Sequence, residues 1–160
     1  MTRVFSSEHI DFVTVSEALI ADYLTMVNDY ENVQRFIGER TEPYTAEQEC
    51  AWVRKKLAES APVFSMLERE SGGFIGNIEL MDVVDGAGEL GIAITAGMQD
   101  RGFGTEAVSA LTRYAFDRLG LRRVFLRTNP LNARAINVYQ KCGFREYART
   151  EKHVCMEIRK

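Results

Sequence analysis

The chain is poor in the residues from which metal centres and disulfide frameworks are made. Its three cysteines, Cys50, Cys142 and Cys155, form no Cys-x-x-Cys pair, and its two histidines, His9 and His153, lie far apart. No zinc site, disulfide scaffold or other metal centre is therefore expected. No apolar run approaches the length of a membrane span, and the N-terminus lacks a signal-peptide pattern. The cytoplasm is the expected location, with no membrane partner. Repeats and low-complexity linkers are missing too, so 160 residues are read as one domain, 1–160. Basic charge is not in excess: the net charge is −3 and the pI about 5.5, which disfavours nucleic acid.

What is present is an ordinary globular composition, 46% hydrophobic and 27% charged, with charge unevenly placed. Residues 1–100 hold 7 Lys/Arg against 18 Asp/Glu, a balance of −11, and residues 101–160 hold 13 against 5, a balance of +8. That asymmetry points the second half towards an anion and the first towards a cation, although most single charges need be no more than solvated.

Along the chain, Ile10–Val15 alternates as a strand, and Ser16 is placed to cap a helix over 17–28, continued after a break by 32–37. Thr45-Ala-Glu-Gln48 has capping-box spacing, opening a helix to about Glu59 with Cys50, Val53 and Leu57 as its apolar face. Strands follow at 63–69, 74–81 and 90–95, with turns at 71–73 and 85–88. A helix over 105–119 ends at Gly120, a strand covers 123–128, and Asn132 caps a helix over 133–141. Strands at 144–149 and 154–158 close the order β-α-α-β-β-β-α-β-α-β-β.

The organising stretch is Gln99-Asp-Arg-Gly-Phe-Gly104, between the strand ending at Thr95 and the helix beginning at Thr105. A helix N-terminus offers unpaired N–H groups and a favourable dipole to an anion, and glycines let the backbone approach it. No third glycine completes a Gly-x-Gly-x-x-Gly fingerprint, since Ala107 stands there, and no Gly-Lys-Ser/Thr makes a P-loop. Taken alone, the six residues fit a plain tight turn equally well.

A second stretch changes the balance. Asn132-Ala-Arg-Ala-Ile-Asn-Val-Tyr-Gln-Lys-Cys-Gly-Phe144 is similar to the Asn-x-x-Ala-x-x-x-Tyr-x-x-x-Gly-Phe signature of the GNAT superfamily of acyl-CoA-dependent N-acetyltransferases. Gln99–Gly104 is similar to its Gln/Arg-x-x-Gly-x-Gly/Ala pyrophosphate loop. Thr105-Glu-Ala, Tyr114-Ala-Phe and Leu119-Gly-Leu-Arg-Arg-Val124 resemble its ribosomal-protein and polyamine acetyltransferase branch. The chain departs from the pattern at Ala96-Gly97, where a proline-containing turn is often found.

The resemblance implies an α+β fold with a splayed, mostly antiparallel twisted sheet of about seven strands, flanked by four helices. It implies acetyl-CoA as cofactor, an amine acceptor (small molecule or peptide) and direct transfer through a tetrahedral intermediate. It allows a homodimer without fixing an interface. The pantetheine arm would pair along Ile92, Ala93, Ile94 and Thr95. The pyrophosphate would lie on Gln99, Asp100, Arg101, Gly102, Phe103, Gly104 and Thr105. Asn132, Ala135, Asn137 and Tyr139 would complete the cofactor site.

By residue type alone Tyr139 is a core tyrosine; the resemblance makes it the acid that protonates the departing thiolate. An amine with a pKa of ~10.4 must lose a proton before attack. Glu89, just before the glycine of the splayed strand, is the first candidate base, and Glu79 on its neighbour the second. Each reads equally well as a salt-bridge partner, and only the register decides whether they share a face. Glu31 and Glu39 are candidates for attracting a cationic substrate. Cys142, with no histidine linked to it, reads as filler. A non-catalytic acyl-CoA-binding module is the alternative from another class. A nucleotide-binding regulatory domain is disfavoured by the missing P-loop.

Overall fold

The computed structural model describes residues 1–160. Eight strands form a single sheet: β1 (Arg3–Ser6), β2 (Ile10–Thr14), β3 (Val63–Glu68), β4 (Phe74–Val84), β5 (Ala87–Ile94), β6 (Arg123–Thr128), β7 (Arg145–Arg149) and β8 (Val154–Arg159). Their order is β1-β2-β3-β4-β5-β6-β8-β7, antiparallel throughout except for the β5–β6 pair. Five helices accompany it: α1 (Ile20–Val27), the short α2 (Arg35–Ile37), α3 (Ala46–Ala58), α4 (Phe103–Asp117) and α5 (Ala133–Lys141).

The sequence reading gave seven strands and four helices, and the differences have local causes. Strand β1 is four residues long, exposed and irregular in register against β2, so no alternation marks it. Its anchor is Phe5, stacked between Phe12 at 4.2 Å and Tyr114 at 4.4 Å. The turn expected over 85–88 is a two-residue hairpin at Asp85-Gly86, both with positive φ, which lengthens β4 to Val84 and starts β5 at Ala87. Helix α4 begins at Phe103, two residues early, because Gly102 takes φ +85° and turns the chain directly into it.

Two layers cover the sheet. One face carries the main core, where Leu90, Val124, Leu126 and Met156 meet Ala107, Val108 and Leu111 of α4 and Tyr139 of α5. The other face carries α1 and α3 over a smaller core of Val15, Leu19, Tyr23, Val53 and Val63. The capping box of α3 forms as expected. Its sheet-facing stripe, however, is Glu49, Val53 and Lys56, while Leu57 is half exposed and Cys50 only part-buried. The apolar positions alone pointed to the neighbouring stripe, because a glutamate is not expected inside.

Candidate active site

β5 is a central strand that loses its neighbour halfway along. It pairs with β6 only at Ala87, Gly88 and Glu89, although both strands run on. From Gly91 to Ile94 the strand is half-buried rather than buried, as the wall of a cleft is. The implied splay is thus fixed by register. On the other side β4 holds β5 for its whole length, and the Thr95 N–H donates to the Ile75 carbonyl at 2.9 Å. Main-chain groups alternate direction along a strand. Ala93 and Thr95 are therefore taken by β4, and the open edge belongs to Leu90, Ile92 and Ile94. Of the expected pantetheine-pairing residues, Ile92 offers both main-chain groups and Ile94 its N–H alone, because Gln99 takes the Ile94 carbonyl.

The loop at the end of β5 is held from three sides. Gln99 Nε2 donates to the Ile94 carbonyl at 2.9 Å and to the Asn32 carbonyl at 3.1 Å, while its Oε1 accepts from Arg134 of α5 at 2.5 Å. Arg134 also pairs with Asp100 at 3.1 Å. Arg134 is absent from the sequence reading, since only its place within the Asn132–Phe144 signature could have pointed to it. Asp100 and Gly102 both have positive φ, and no side chain caps α4. The first intrahelical bond is Glu106 N–H to the Gly102 carbonyl. The N–H groups of Phe103, Gly104 and Thr105 thus have no helical partner, an arrangement that suits an anion. Arg101 turns aside, pairing with Glu68 at 3.1 Å and lying 5.2 Å from the Phe103 ring.

α5 lies beside this loop. A methyl on Gly104 would sit 3.4 Å from Ile94 and 3.6 Å from Val138, so α4, α5 and β5 converge there. Asn132 Oδ1 caps α5 through the Ala135 N–H at 3.2 Å, leaving its Nδ2 uncommitted. Asn137 is exposed, about 200° round the helix from Tyr139; the structure does not gather it with the others. Tyr139 is 6% exposed, its ring 5.9 Å from that of Phe144. Burial pushes its phenol well above the ordinary range, with nearby Cys142 adding to the effect. No fully buried side-chain nitrogen or oxygen lacks a partner, yet no protein group bonds this hydroxyl. The hydroxyl therefore opens onto accessible space.

Glu79 and Glu89 share the face opposite α4, since Glu79 pairs with Gly91 and Met81 with Glu89. Each is ion-paired: Glu79 with Lys56 at 3.0 Å, Glu89 with Arg127 at 3.0 Å. The Lys56 side chain is 20% exposed and that of Arg127 55%. Tyr139, on the α4 side, is thus separated from the carboxylates by the sheet itself, and the splay is the passage between them. Glu31 lies in the wide turn Tyr30–Gln34, the neighbourhood that Gln99 touches, and Glu39 reaches Lys152 of the β7–β8 turn at 3.8 Å.

The free amides of α4, the open β5 edge, the small Gly104 and the unpartnered hydroxyl together fit an extended ligand with a phosphate end and a reactive end. Comparisons with known proteins bear on the family and the fold. A family model described as the acetyltransferase (GNAT) domain matches residues 10–145. An uncharacterized N-acetyltransferase of Bacillus subtilis, YnaD, is 28% identical over 115 residues, covering 71% of this chain and 66% of that protein. Spermidine N(1)-acetyltransferase of Vibrio cholerae is 25% identical over 127 residues, covering 78% and 72%. The chain thus spans about two thirds of such relatives' length. Among solved structures, a GNAT-family acetyltransferase from Bacillus anthracis superposes with a TM-score of 0.85 at 18% identity, covering 96% of both chains. Spermidine N-acetyltransferase from Vibrio cholerae in complex with CoA and spermine gives 0.82 at 18% identity, again over 96% of both. At these identities the superpositions speak for the fold.

Proposed function

The chain belongs to the GNAT acetyltransferase family, and on that premise we propose that it moves the acetyl group of acetyl-CoA directly to a primary amine of a small cationic acceptor. The observation that carries this is the unpaired stretch of β5 lying between the free α4 amides and the unpartnered Tyr139 hydroxyl. When bound, acetyl-CoA supplies an activated acyl thioester. The N–H groups of Phe103, Gly104 and Thr105 bind its pyrophosphate, and Ile92, Ile94 and the Asn132 Nδ2 align its pantetheine arm. An N–H on the open β5 edge accommodates charge on the acyl oxygen. Tyr139 holds its proton at the hydroxyl until the sulfur needs it, and burial keeps that proton in place at neutral pH.

The amine arrives protonated and gives up its proton on the face that Glu79 and Glu89 share. We assign the base to Glu89, because its partner Arg127 is the more exposed of the two cations and the freer to swing away. The named spermidine acetyltransferase relatives support a cationic acceptor, as does the acidic first half of the chain. The test is thiol release from acetyl-CoA by the purified protein with a panel of primary amines. Release is expected with cationic amines. Acetyl-CoA binding without release for any amine would replace this reading with the non-catalytic module.

A further inference from the structure

Asn77 carries a hydrogen-bond donor that the fold orients and then leaves unused. It faces Ser65 of β3 on one side and Ala93 of β5 on the other, on the face of the sheet that Glu79 and Glu89 share. A buried chain of hydroxyls fixes which way its amide is turned. The Tyr23 hydroxyl accepts from the Ser16 N–H at 3.2 Å and lies 2.5 Å from Ser65 Oγ, which in turn lies 2.8 Å from Asn77 Oδ1. Tyr23 and Ser65 are fully buried. Since Tyr23 already accepts from Ser16, its own proton goes to Ser65; in the reverse order that proton would have no acceptor in the chain. Ser65 therefore donates to Asn77, and Oδ1 is the atom that receives. Trp52 and Phe74 pack edge-on against the Tyr23 ring and hold the chain in place.

With Oδ1 held towards β3, Nδ2 is left on the β5 side. No protein group accepts from it, and since no fully buried side-chain nitrogen lacks a partner, Nδ2 opens onto accessible space. That space is the acceptor side of the cleft. Ala93 belongs to the half-buried stretch of β5 that β6 has left, and on this face the stretch presents only Gly91 and Ala93. The β4 side chains lean over it: a methyl on Gly91 would stand 3.7 Å from Glu79 Cγ. An acceptor whose nitrogen lies over β5, beside the thioester, passes within reach of Asn77, one strand spacing of about 5 Å away. The amine itself cannot be the partner of Nδ2, because it arrives as an ammonium, which like Nδ2 only donates. What Nδ2 can take is an oxygen, and the strand spacing puts that oxygen about two or three carbons from the nitrogen.

We propose that Asn77 selects the acceptor by donating from Nδ2 to an ether, carbonyl or hydroxyl oxygen near the primary amine, so that oxygen-bearing amines are preferred to alkylamines of the same shape. This rests on the amine-acetyltransferase reading above. The test measures thiol release with two isosteric pairs, 2-methoxyethylamine against butylamine and 2-aminoethanol against propylamine, for wild type, Asn77→Asp and Asn77→Leu. Comparing ratios of kcat/KM between proteins cancels the different basicities of the amines. Asn77→Asp keeps an oxygen for Ser65 and turns the free donor into an acceptor. The ether-to-alkyl ratio therefore falls by about fivefold or more, while 2-aminoethanol keeps its ratio by turning its hydroxyl to donate. Asn77→Leu lowers both ratios. In wild type the Asn77 side-chain amide proton resonances shift with 2-methoxyethylamine and not with butylamine. Ratios that stay the same in both variants, or amide resonances unmoved by the ether, overturn the assignment. If wild type releases no thiol with any of these amines, acetyl transfer has failed, and the amide resonances still decide for or against Asn77.

Discussion

Replacing Tyr139 by Phe removes one oxygen that no protein group uses, so its effect is confined to chemistry. The expected result is a fall in kcat of about 100-fold or more with KM for acetyl-CoA within about twofold, read by steady-state thiol release. Because burial raises the phenol above its ordinary ~10, wild type shows no descending limb from Tyr139 at neutral or mildly alkaline pH. A second residue-scale prediction concerns Glu106, which accepts from the Ser7 hydroxyl at 2.5 Å, the His9 N–H at 2.7 Å and the His9 ring at 2.9 Å. Partial burial opposes its charge, yet these bonds outweigh that and hold it below the usual carboxylate range. Its contribution is present above its ordinary value of 4.5 and is lost as pH falls through the depressed one. His9 is raised by the same bond, so its share is full below 6.5 and is lost as pH rises through the raised value. The melting-temperature gap between wild type and Glu106→Gln is therefore widest between pH 4.5 and 6.5. At this scale the caps of α3 and α5 were legible, being three-residue interactions. Glu49 was not, because nothing local tells a buried glutamate from a solvated one.

At the scale of elements, two glycines separate fold from ligand. A methyl on Gly76 would stand 2.0 Å from the Ala93 carbonyl, so β4 and β5 could not keep their pairing. Gly76→Ala is expected to cost about 1–3 kcal/mol or more in denaturant unfolding. Gly104 is the opposite case, where a methyl meets Ile94 and Val138 at ordinary contact distances. Gly104→Ala is expected to change stability by less than about 0.5 kcal/mol. It should nevertheless raise KM for acetyl-CoA by filling the place where β5, α4 and α5 converge. A Gly104→Ala protein with unaltered KM would remove α4 from the cofactor site. The strands and helices themselves were mostly readable from period and turn residues. The misses, β1 and the Asp85-Gly86 hairpin, fall where packing of Phe5 or pairing across the turn decides the matter.

Across the whole molecule the acidic first hundred residues supply β1 to β5 and the basic remainder β6 to β8, so the two halves meet where β5 parts from β6. Steering by such a field weakens as salt shortens its range. Raising the salt from about 50 to about 500 mM is expected to increase KM for a cationic acceptor by about threefold or more, with kcat little changed. A KM indifferent to salt would leave the charge asymmetry a matter of solubility alone.

By itself the sequence determined the caps, the glycine turn into α4, the order of most elements and the two family signatures, because each is settled by residues within a few positions of one another. Tertiary structure alone decided that β6 leaves β5 after Glu89, that Ile92 and the Ile94 N–H stay free while Ala93 and Thr95 do not, and that Glu79 and Glu89 share a face and are already ion-paired. These are consequences of register and pairing between distant segments, where a shift of one residue reverses every side chain, and no local pattern records them.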